Sequence, residues 1–195
     1  MFNKEDYYIL GGSDKKKNIW DKNGKTIKFI EKSYLKFGAF IETTYIENKP
    51  YILLSGKYHS ECYDYNNDNI KIYESNNNNK NNIHRISNLF KNNNKIYLII
   101  GDAGGNVIIF DFISTKEISS IKVGGYINSL CSINEKYILI GNNKKELKVI
   151  DFDNKSIIKN YKVHNKDVIG IEKIKTHEKK EYIITYDVNE IKLWE

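Results

Sequence analysis

Five segments of the chain share one pattern, and this repetition constrains the fold more than any other feature. Each has a short apolar strand, a turn of small or polar residues, and a second apolar strand that ends in an aromatic or aliphatic residue followed by an acid. The closing acids are Asp21, Glu74, Asp111, Asp151 and Glu195. They lie 53, 37, 40 and 44 residues apart. We therefore expect a series of related β-hairpins along most of the chain.

The spacing favours one all-β architecture. A fixed period of roughly 40–45 residues is typical of propeller blades with four strands each. The first interval is longer, and we interpret KYHSECYDYNNDN after Gly56 as an insertion in a turn. The hydrophobic fraction of 40% and aromatic fraction of 13% supply the residues that suit a pleated, half-buried surface. A β-sandwich is the alternative fold for such a pattern.

Two segments resemble a known repeat family. GGSDKKKNIWD resembles the end of a WD repeat, with Asp14 in the hairpin turn and Trp20-Asp21 closing the strand. The last segment, VHNKDVIGIEKIK…YIITYDVNEIKLWE, resembles a nearly complete WD repeat. In it, His164 stands where the family places the histidine of its Gly-His dipeptide, and Val168 follows at the usual step.

This resemblance implies a buried hydrogen-bonded network that locks the last repeat. Its expected members are His164, Thr185, Asp187 and Trp194. Asp187 lies one position earlier than the commonest spacing in the family. Asp14 and Trp20 are the corresponding residues of the first repeat. The middle repeats have Tyr73, Phe110 and Ile150 in place of the tryptophan and lack the histidine, so we expect them to depend on packing and backbone ladders.

The predicted architecture is a single β-propeller domain over residues 1–195, made of about four and a half blades of four-stranded antiparallel sheets. The blades are placed at residues 6–31, 37–86, 86–123, 126–162 and 168–195, the first without its innermost strand and the last without its outermost strand. Residues 75–82, SNNNNKNN, form an Asn-rich low-complexity loop where an outer strand would lie.

The incomplete first and last blades favour an open or partial propeller over a closed five-blade ring. Such a chain is a fragment of a longer protein, an open arc, or a domain that needs another chain or copy to complete it, because unpaired strand edges template association.

The sequence offers no convincing catalytic or metal constellation. No G-x-S-x-G nucleophile motif occurs, GDAGGN lacks the lysine and following helix of a phosphate loop, and His59 with Cys62 forms only a lone H-x-x-C. The only other cysteine, Cys131, belongs to a different repeat, so we expect reduced thiols. We predict a non-catalytic scaffold without cofactor or metal.

We expect it inside the cell, in the cytoplasm or nucleus, because the charged N-terminus does not resemble a signal peptide and no apolar run is long enough to cross a membrane.

A binding surface is expected on the rim where the hairpin turns and the loops between blades meet, since loops on a rigid scaffold carry function. The candidate partner-binding residues are Lys15, Lys16, Lys17, Tyr58, Tyr63, Tyr65, Tyr126, Lys144 and Lys145. The favoured partner is a protein, because tyrosine is a common interface anchor. The alternative is nucleic acid or phosphoinositide bound by the lysines, since the net charge is +6. However, Arg85 is the only arginine, and phosphate and base recognition favour arginine.

Overall fold

The computed structural model describes residues 7–10, 17–21, 23–30, 40–47, 49–56, 59–74, 83–178 and 180–195. Within these ranges the chain is all-β, and its eighteen strands form five separate antiparallel sheets in chain order. None of the described residues forms a helix that could cross a membrane. The Asn-rich stretch 75–82 lies outside the described residues.

Two of the five sheets have three strands. Sheet one consists of β1 (Tyr7–Leu10), β2 (Lys17–Asp21) and β3 (Thr26–Ile30). Sheet five consists of β16 (Gly170–Lys175), β17 (Glu181–Tyr186) and β18 (Ile191–Trp194).

The other three sheets have four strands. Sheet two consists of β4 (Phe40–Ile46), β5 (Lys49–Ser55), β6 (His59–Asp64) and β7 (Asn69–Glu74). Sheet three consists of β8 (His84–Asn92), β9 (Lys95–Asp102), β10 (Asn106–Asp111) and β11 (Glu117–Lys122). Sheet four consists of β12 (Ile127–Ser132), β13 (Tyr137–Asn142), β14 (Glu146–Asp151) and β15 (Ser156–Lys162).

The sheets are arranged as blades around an axis. The first strands β4, β8, β12 and β16 each form one edge of their sheet, and β8 contacts both β4 and β12 while β12 also contacts β16. These strands are therefore innermost. The described strands of sheets one and five do not pair with each other, so the array is open. The prediction of an all-β open propeller is confirmed.

Each blade has two rims. The turns between second and third strands, at 102–105, 142–145 and 187–190, lie at the same end as the loops that lead into the inner strands, and we call this end the upper rim. The turns between third and fourth strands, at 65–68, 112–115 and 152–155, lie at the opposite end, the lower rim.

One strand register recurs and corrects our interpretation of sheet two. The closing acids Asp21, Asp111 and Asp151 each lie opposite a tyrosine of the neighbouring strand, and in sheet two the residue with this position is Asp64, opposite Tyr51. The supposed insertion after Gly56 contains the third strand, β6, and the turn that follows it, and Glu74 closes the fourth strand instead. The long first interval therefore comes from a wrongly chosen acid, because both strands end in an aromatic residue followed by an acid.

Two glycines of second strands lie close to side chains of the following blade. A Cβ on Gly141 would lie 2.6 Å from Val168 Cγ1, and a Cβ on Gly101 would collide with Ile127. Both contacting side chains are fully buried and belong to the next sheet. The absence of a side chain at these glycines thus sets the spacing between sheets three, four and five.

Candidate functional site

Three of the four predicted members of the network in the last repeat, His164, Thr185 and Trp194, lie within hydrogen-bonding distance of one another, and Asp187 lies beside them. His164 lies in the loop that leads to β16, and its Nε2 is 2.8 Å from Thr185 Oγ1 on β17. Trp194 on β18 donates its Nε1–H to the same hydroxyl at 2.8 Å. Because an indole nitrogen only donates, Thr185 must accept from Trp194, which leaves its own hydroxyl hydrogen for His164. Three elements of the blade thus meet at one buried hydroxyl.

Two carboxylates face the other side of the imidazole. His164 Nδ1 lies 3.1 Å from Glu190 Oε1 and 3.8 Å from Asp187 Oδ2. These acids favour a proton on Nδ1, which is consistent with Nε2 accepting from Thr185. Burial opposes ionisation of Asp187, but backbone N–H groups of Asn189, Glu190 and Lys166 outweigh it, so the pKa of Asp187 is lowered.

The polar atoms of this network are already engaged with one another. His164, Asp187 and Glu190 offer three ligand-type atoms within 4.8 Å of one another, the spacing that a metal ion would need. Both oxygens of Asp187 already accept backbone N–H groups, however, and the histidine is shared between Glu190 and Thr185. The donor set therefore fits a hydrogen-bonded network that connects the loop, the turn and two strands.

The turn that contains Asp187 differs in length from the corresponding turn of sheet four. Trp194 lies opposite Ile183 in the register of sheet five, as Ile150 lies opposite Ile138 in sheet four. The turn between the second and third strands is one residue shorter in sheet five. Asp187 therefore occupies the turn position that Asn142 has in sheet four, although one residue fewer separates it from the third-strand tryptophan.

A second buried polar cluster, which the sequence interpretation missed, lies between sheets two and three. Ser55 Oγ donates to Ser87 Oγ at 2.8 Å, Ser60 Oγ donates to Ser55 Oγ at 3.2 Å, and Ser60 Oγ lies 3.1 Å from His84 Nδ1. All four side chains are buried. The expectation that the middle repeats lack a polar lock is thus wrong for this interface. Burial, together with the nearby His59, lowers the pKa of His84 to about 4.

Three of the candidate rim residues lie together on the upper rim. Tyr126 is 53% exposed, and its backbone N–H donates to Asn143 Oδ1 at 2.8 Å while its carbonyl accepts the Asn143 N–H at 3.0 Å. Lys144 is exposed and Lys145 is half-buried in the adjacent turn. This part of the predicted surface combines an anchored tyrosine with two lysines.

Two other candidates are placed wrongly by the sequence interpretation. Tyr63 lies in strand β6, is buried at 2% exposure, and donates its hydroxyl to Asp68. Tyr65 lies in a lower-rim turn and packs against the core between sheets one and two. Both errors follow from the misassigned insertion, because a segment interpreted as a loop is a strand that ends at the other rim.

The remaining candidates are only partly described. Asp14, Lys15, Lys16 and Tyr58 lie outside the described residues. Lys17 belongs to β2, and Trp20 is a half-buried residue of the same strand. Cys62 and Cys131 are buried thiols of different sheets and are not joined by a disulfide bond, and burial raises the pKa of Cys62 to about 12.

The fold defines the chain as a WD40-like β-propeller array. The crystal structure of the WD40 β-propeller domain of Doa1 superimposes with a TM-score of 0.72 at 11% sequence identity, covering 100% of this chain. This chain spans 62% of the length of that chain. The sequence matches no protein-family profile and no curated protein. The likeness is therefore one of fold.

Proposed function

We propose that the chain is a non-catalytic WD-repeat scaffold that binds a protein partner through its upper rim, in the cytoplasm or nucleus. The observation that carries this proposal is the combination of exposure and anchoring at Tyr126. A large side chain whose backbone is already fixed loses little entropy on binding, which is the property of an interface hot spot.

Apolar side chains at neighbouring positions support the same surface. The carbonyl of Ile83 accepts the Ala103 N–H in the same way that the carbonyl of Tyr126 accepts the Asn143 N–H, and Ile83 is 41% exposed. Val188, in the corresponding turn of sheet five, is 70% exposed. Three consecutive sheets thus present an exposed apolar or aromatic side chain on one rim, a pattern that favours a protein partner.

The alternative partner is a polyanion, either nucleic acid or a phosphoinositide, bound by the rim lysines. Two other lysines near this rim are engaged with the protein itself: Lys122 Nζ donates to the Gly104 carbonyl and Lys148 Nζ donates to the Val123 carbonyl. Among the described candidate residues, Lys144 and Lys145 are therefore the lysines that would bind a polyanion.

The proposal is tested by crosslinking and mass spectrometry with the purified chain in an extract of its source cells. We expect Tyr126→Ala to remove the specific crosslinks. The matched control is Ile113→Ala, because Ile113 is 83% exposed on the lower rim and its loss should leave the crosslinks unchanged. Equal crosslinks for both variants would contradict the assignment of the binding surface.

Salt dependence separates the two partner classes. A protein contact anchored by Tyr126 should change little between about 50 and 200 mM salt, whereas affinity for a polyanion falls steeply over this range because counterions are released. A steep loss together with sensitivity to a Lys144→Ala/Lys145→Ala double variant would replace the protein-binding proposal by the polyanion alternative.

A further inference from the structure

A polar cavity of about 540 Å³ lies where residues of the inner strands β4, β8, β12 and β16 come together. Sheets two, three and four pack against a described sheet on each side, so the lining that they contribute is bounded by described blades. This part of the lining carries hydroxyl, amide, thiol and apolar side chains. Among the described lining residues only Glu172 is charged, and it is exposed and lies in sheet five. The cavity therefore suits an uncharged polar ligand.

A buried hydroxyl without a partner belongs to this lining. Ser129 of β12 is 3% exposed, and its Oγ hydrogen-bonds to none of the described residues. The buried serines between sheets two and three differ, because Ser55, Ser60 and Ser87 are hydrogen-bonded to one another. Leaving a buried hydroxyl unpaired is unfavourable. Ser129 therefore indicates a polar group that comes to this cavity from outside the chain.

The packing of sheet four does not require this hydroxyl. Ser129 lies opposite Gly141, and the residue with the same position in sheet three, opposite Gly101, is Ile86. An apolar side chain thus serves at this position of the repeat. A structural role for the Ser129 oxygen would need a partner within the blade, and the described blade supplies none.

The preceding residue, Asn128, is placed by a β-bulge. In the pairing of β12 with β13, Ile127 lies opposite Asn142 and Ser129 lies opposite Gly141, so Asn128 is the extra residue. Bulges re-aim a side chain and are common next to functional sites. Asn128 lines the cavity, is half-buried, and hydrogen-bonds through its carboxamide to none of the described residues. Two adjacent residues thus present polar groups to one cavity.

The chemistry of these two side chains fits a carboxamide ligand. The Asn128 amide has donors on its nitrogen and an acceptor oxygen, and the Ser129 hydroxyl can donate or accept. A carboxylate would use only the donors and an ammonium only the acceptors, whereas a carboxamide pairs with both. A neutral ligand also avoids the cost of burying a charge beside uncharged side chains.

We propose that Asn128 and Ser129 bind the side-chain carboxamide of a glutamine or asparagine carried by the protein partner. Tyr126 of the upper rim lies two positions before Asn128 in the same segment, so a partner that contacts Tyr126 can extend into the cavity from that rim. This inference rests on the proposed function, because it names a chemical group of the partner bound there.

The probes are capped tripeptides that differ in one side chain: acetyl-Ala-Gln-Ala-amide and the same peptide with Met, Glu or Lys in place of Gln. Binding is followed in amide NMR spectra of the nitrogen-labelled chain, through the signals of the Asn128 side chain and the Ser129 backbone N–H. We expect a saturable shift with the glutamine peptide at millimolar concentration. The other three should bind at least roughly tenfold more weakly, since each neutral hydrogen bond contributes about fivefold in affinity.

Variants separate a binding role from a structural one. Ser129→Ala should weaken binding of the glutamine peptide several-fold without lowering the urea midpoint of unfolding, because the lost hydroxyl has no partner among the described residues. Asn128→Asp replaces the amide nitrogen by oxygen, so it should weaken glutamine binding and favour the lysine peptide. The matched control is Asn165→Asp, which changes an exposed asparagine outside the cavity lining and should leave all affinities unchanged.

Four results would overturn the inference: no saturable shift with the glutamine peptide, equal affinities for the glutamine and methionine peptides, unchanged binding in Ser129→Ala, or a lower unfolding midpoint of that variant.

The crosslinking experiment separates this inference from the rim proposal. Saturating glutamine peptide should reduce the Tyr126-dependent crosslinks, and crosslinks that persist would overturn the inference while the rim proposal stands. Peptide binding without any Tyr126-dependent crosslinks would overturn the rim proposal and, with it, the protein source of the carboxamide.

Discussion

The Thr185 hydroxyl is the single atom that joins the loop, second strand and third strand of sheet five, so its removal is a direct test of the lock. Thr185→Val keeps the shape of the side chain but removes the partner of both His164 Nε2 and Trp194 Nε1. A neutral hydrogen bond contributes about 1 kcal/mol net, and a buried polar group left without a partner costs about 1–3 kcal/mol. The His164 side chain is 0% exposed and Trp194 is 36% exposed, so the larger penalty falls on the histidine. We expect a loss of about 2–4 kcal/mol in the free energy of unfolding.

The measurement is urea unfolding followed by far-UV circular dichroism. With a denaturant slope of about 2 kcal/mol per M, the expected loss lowers the unfolding midpoint by about 1–2 M without a change in slope. Thr43→Val is the matched control, because Thr43 is an exposed residue of β4, and its midpoint should barely move.

A double-mutant cycle with Trp194→Phe tests whether the groups act as a unit. Since both changes remove the same Trp194 hydrogen bond, Trp194→Phe should destabilise the Thr185→Val protein less than it destabilises the parent. A Thr185→Val loss below about 0.5 kcal/mol, or strictly additive effects, would refute the lock as a source of stability.

Three further outcomes follow from burial and close packing. The pKa of His84 is about 4 in the folded protein, below its unfolded value, so the unfolded chain binds more protons between these two values. The free energy of unfolding should therefore fall as the pH drops from about 6.5 to 4. In His84→Gln, the unfolding midpoint should depend less on pH over this range. Phe112 is 6% exposed and its ring packs against that of Tyr51, so Phe112→Ala should cost about 3–5 kcal/mol. Ile113→Ala, at the neighbouring position that is 83% exposed, should cost less than about 0.5 kcal/mol, and similar melting temperatures of the two variants would contradict the packing of Phe112. Gly141→Ala should cost about 1–3 kcal/mol, because its new Cβ would lie 2.3 Å from Ser129 Oγ and 2.6 Å from Val168 Cγ1. The cost should be smaller when Ser129→Gly and Val168→Ala are both present, and an equal cost in that background would show that these contacts are not limiting.

Much of the architecture could be predicted from local chemistry. The hairpins of sheets three and four are contiguous in the sequence, and turns at Asp102 and Asn142 separate their apolar strands. The lock could be predicted because His164 and Trp194 are rare residue types at a recognisable spacing.

The errors have equally physical origins. In sheet two, both β6 and β7 end in Tyr followed by an acid, so the ending alone could not identify the third strand, and Tyr63 was assigned to a loop. The Ser55, Ser60 and His84 cluster could not be found, because these residues lie on three different strands without a recognisable spacing and meet only after folding. A usable signal for the aromatic residues that pack against the preceding sheet was present in the dipeptides Asp64-Tyr65, Asp111-Phe112 and Asp151-Phe152.

The shortened turn of sheet five shows how a repeat of this kind can tolerate change in length. One residue fewer between Asp187 and Trp194 leaves the pairing of β17 with β18 intact, because the difference is absorbed where no ladder hydrogen bond is made. The repeat is therefore identified by the atoms that meet at the Thr185 hydroxyl. The number of residues between Asp187 and Trp194 can differ by one without changing these contacts. Blades of this kind can therefore accommodate a single-residue insertion or deletion at a turn while the pairing of their strands is unchanged.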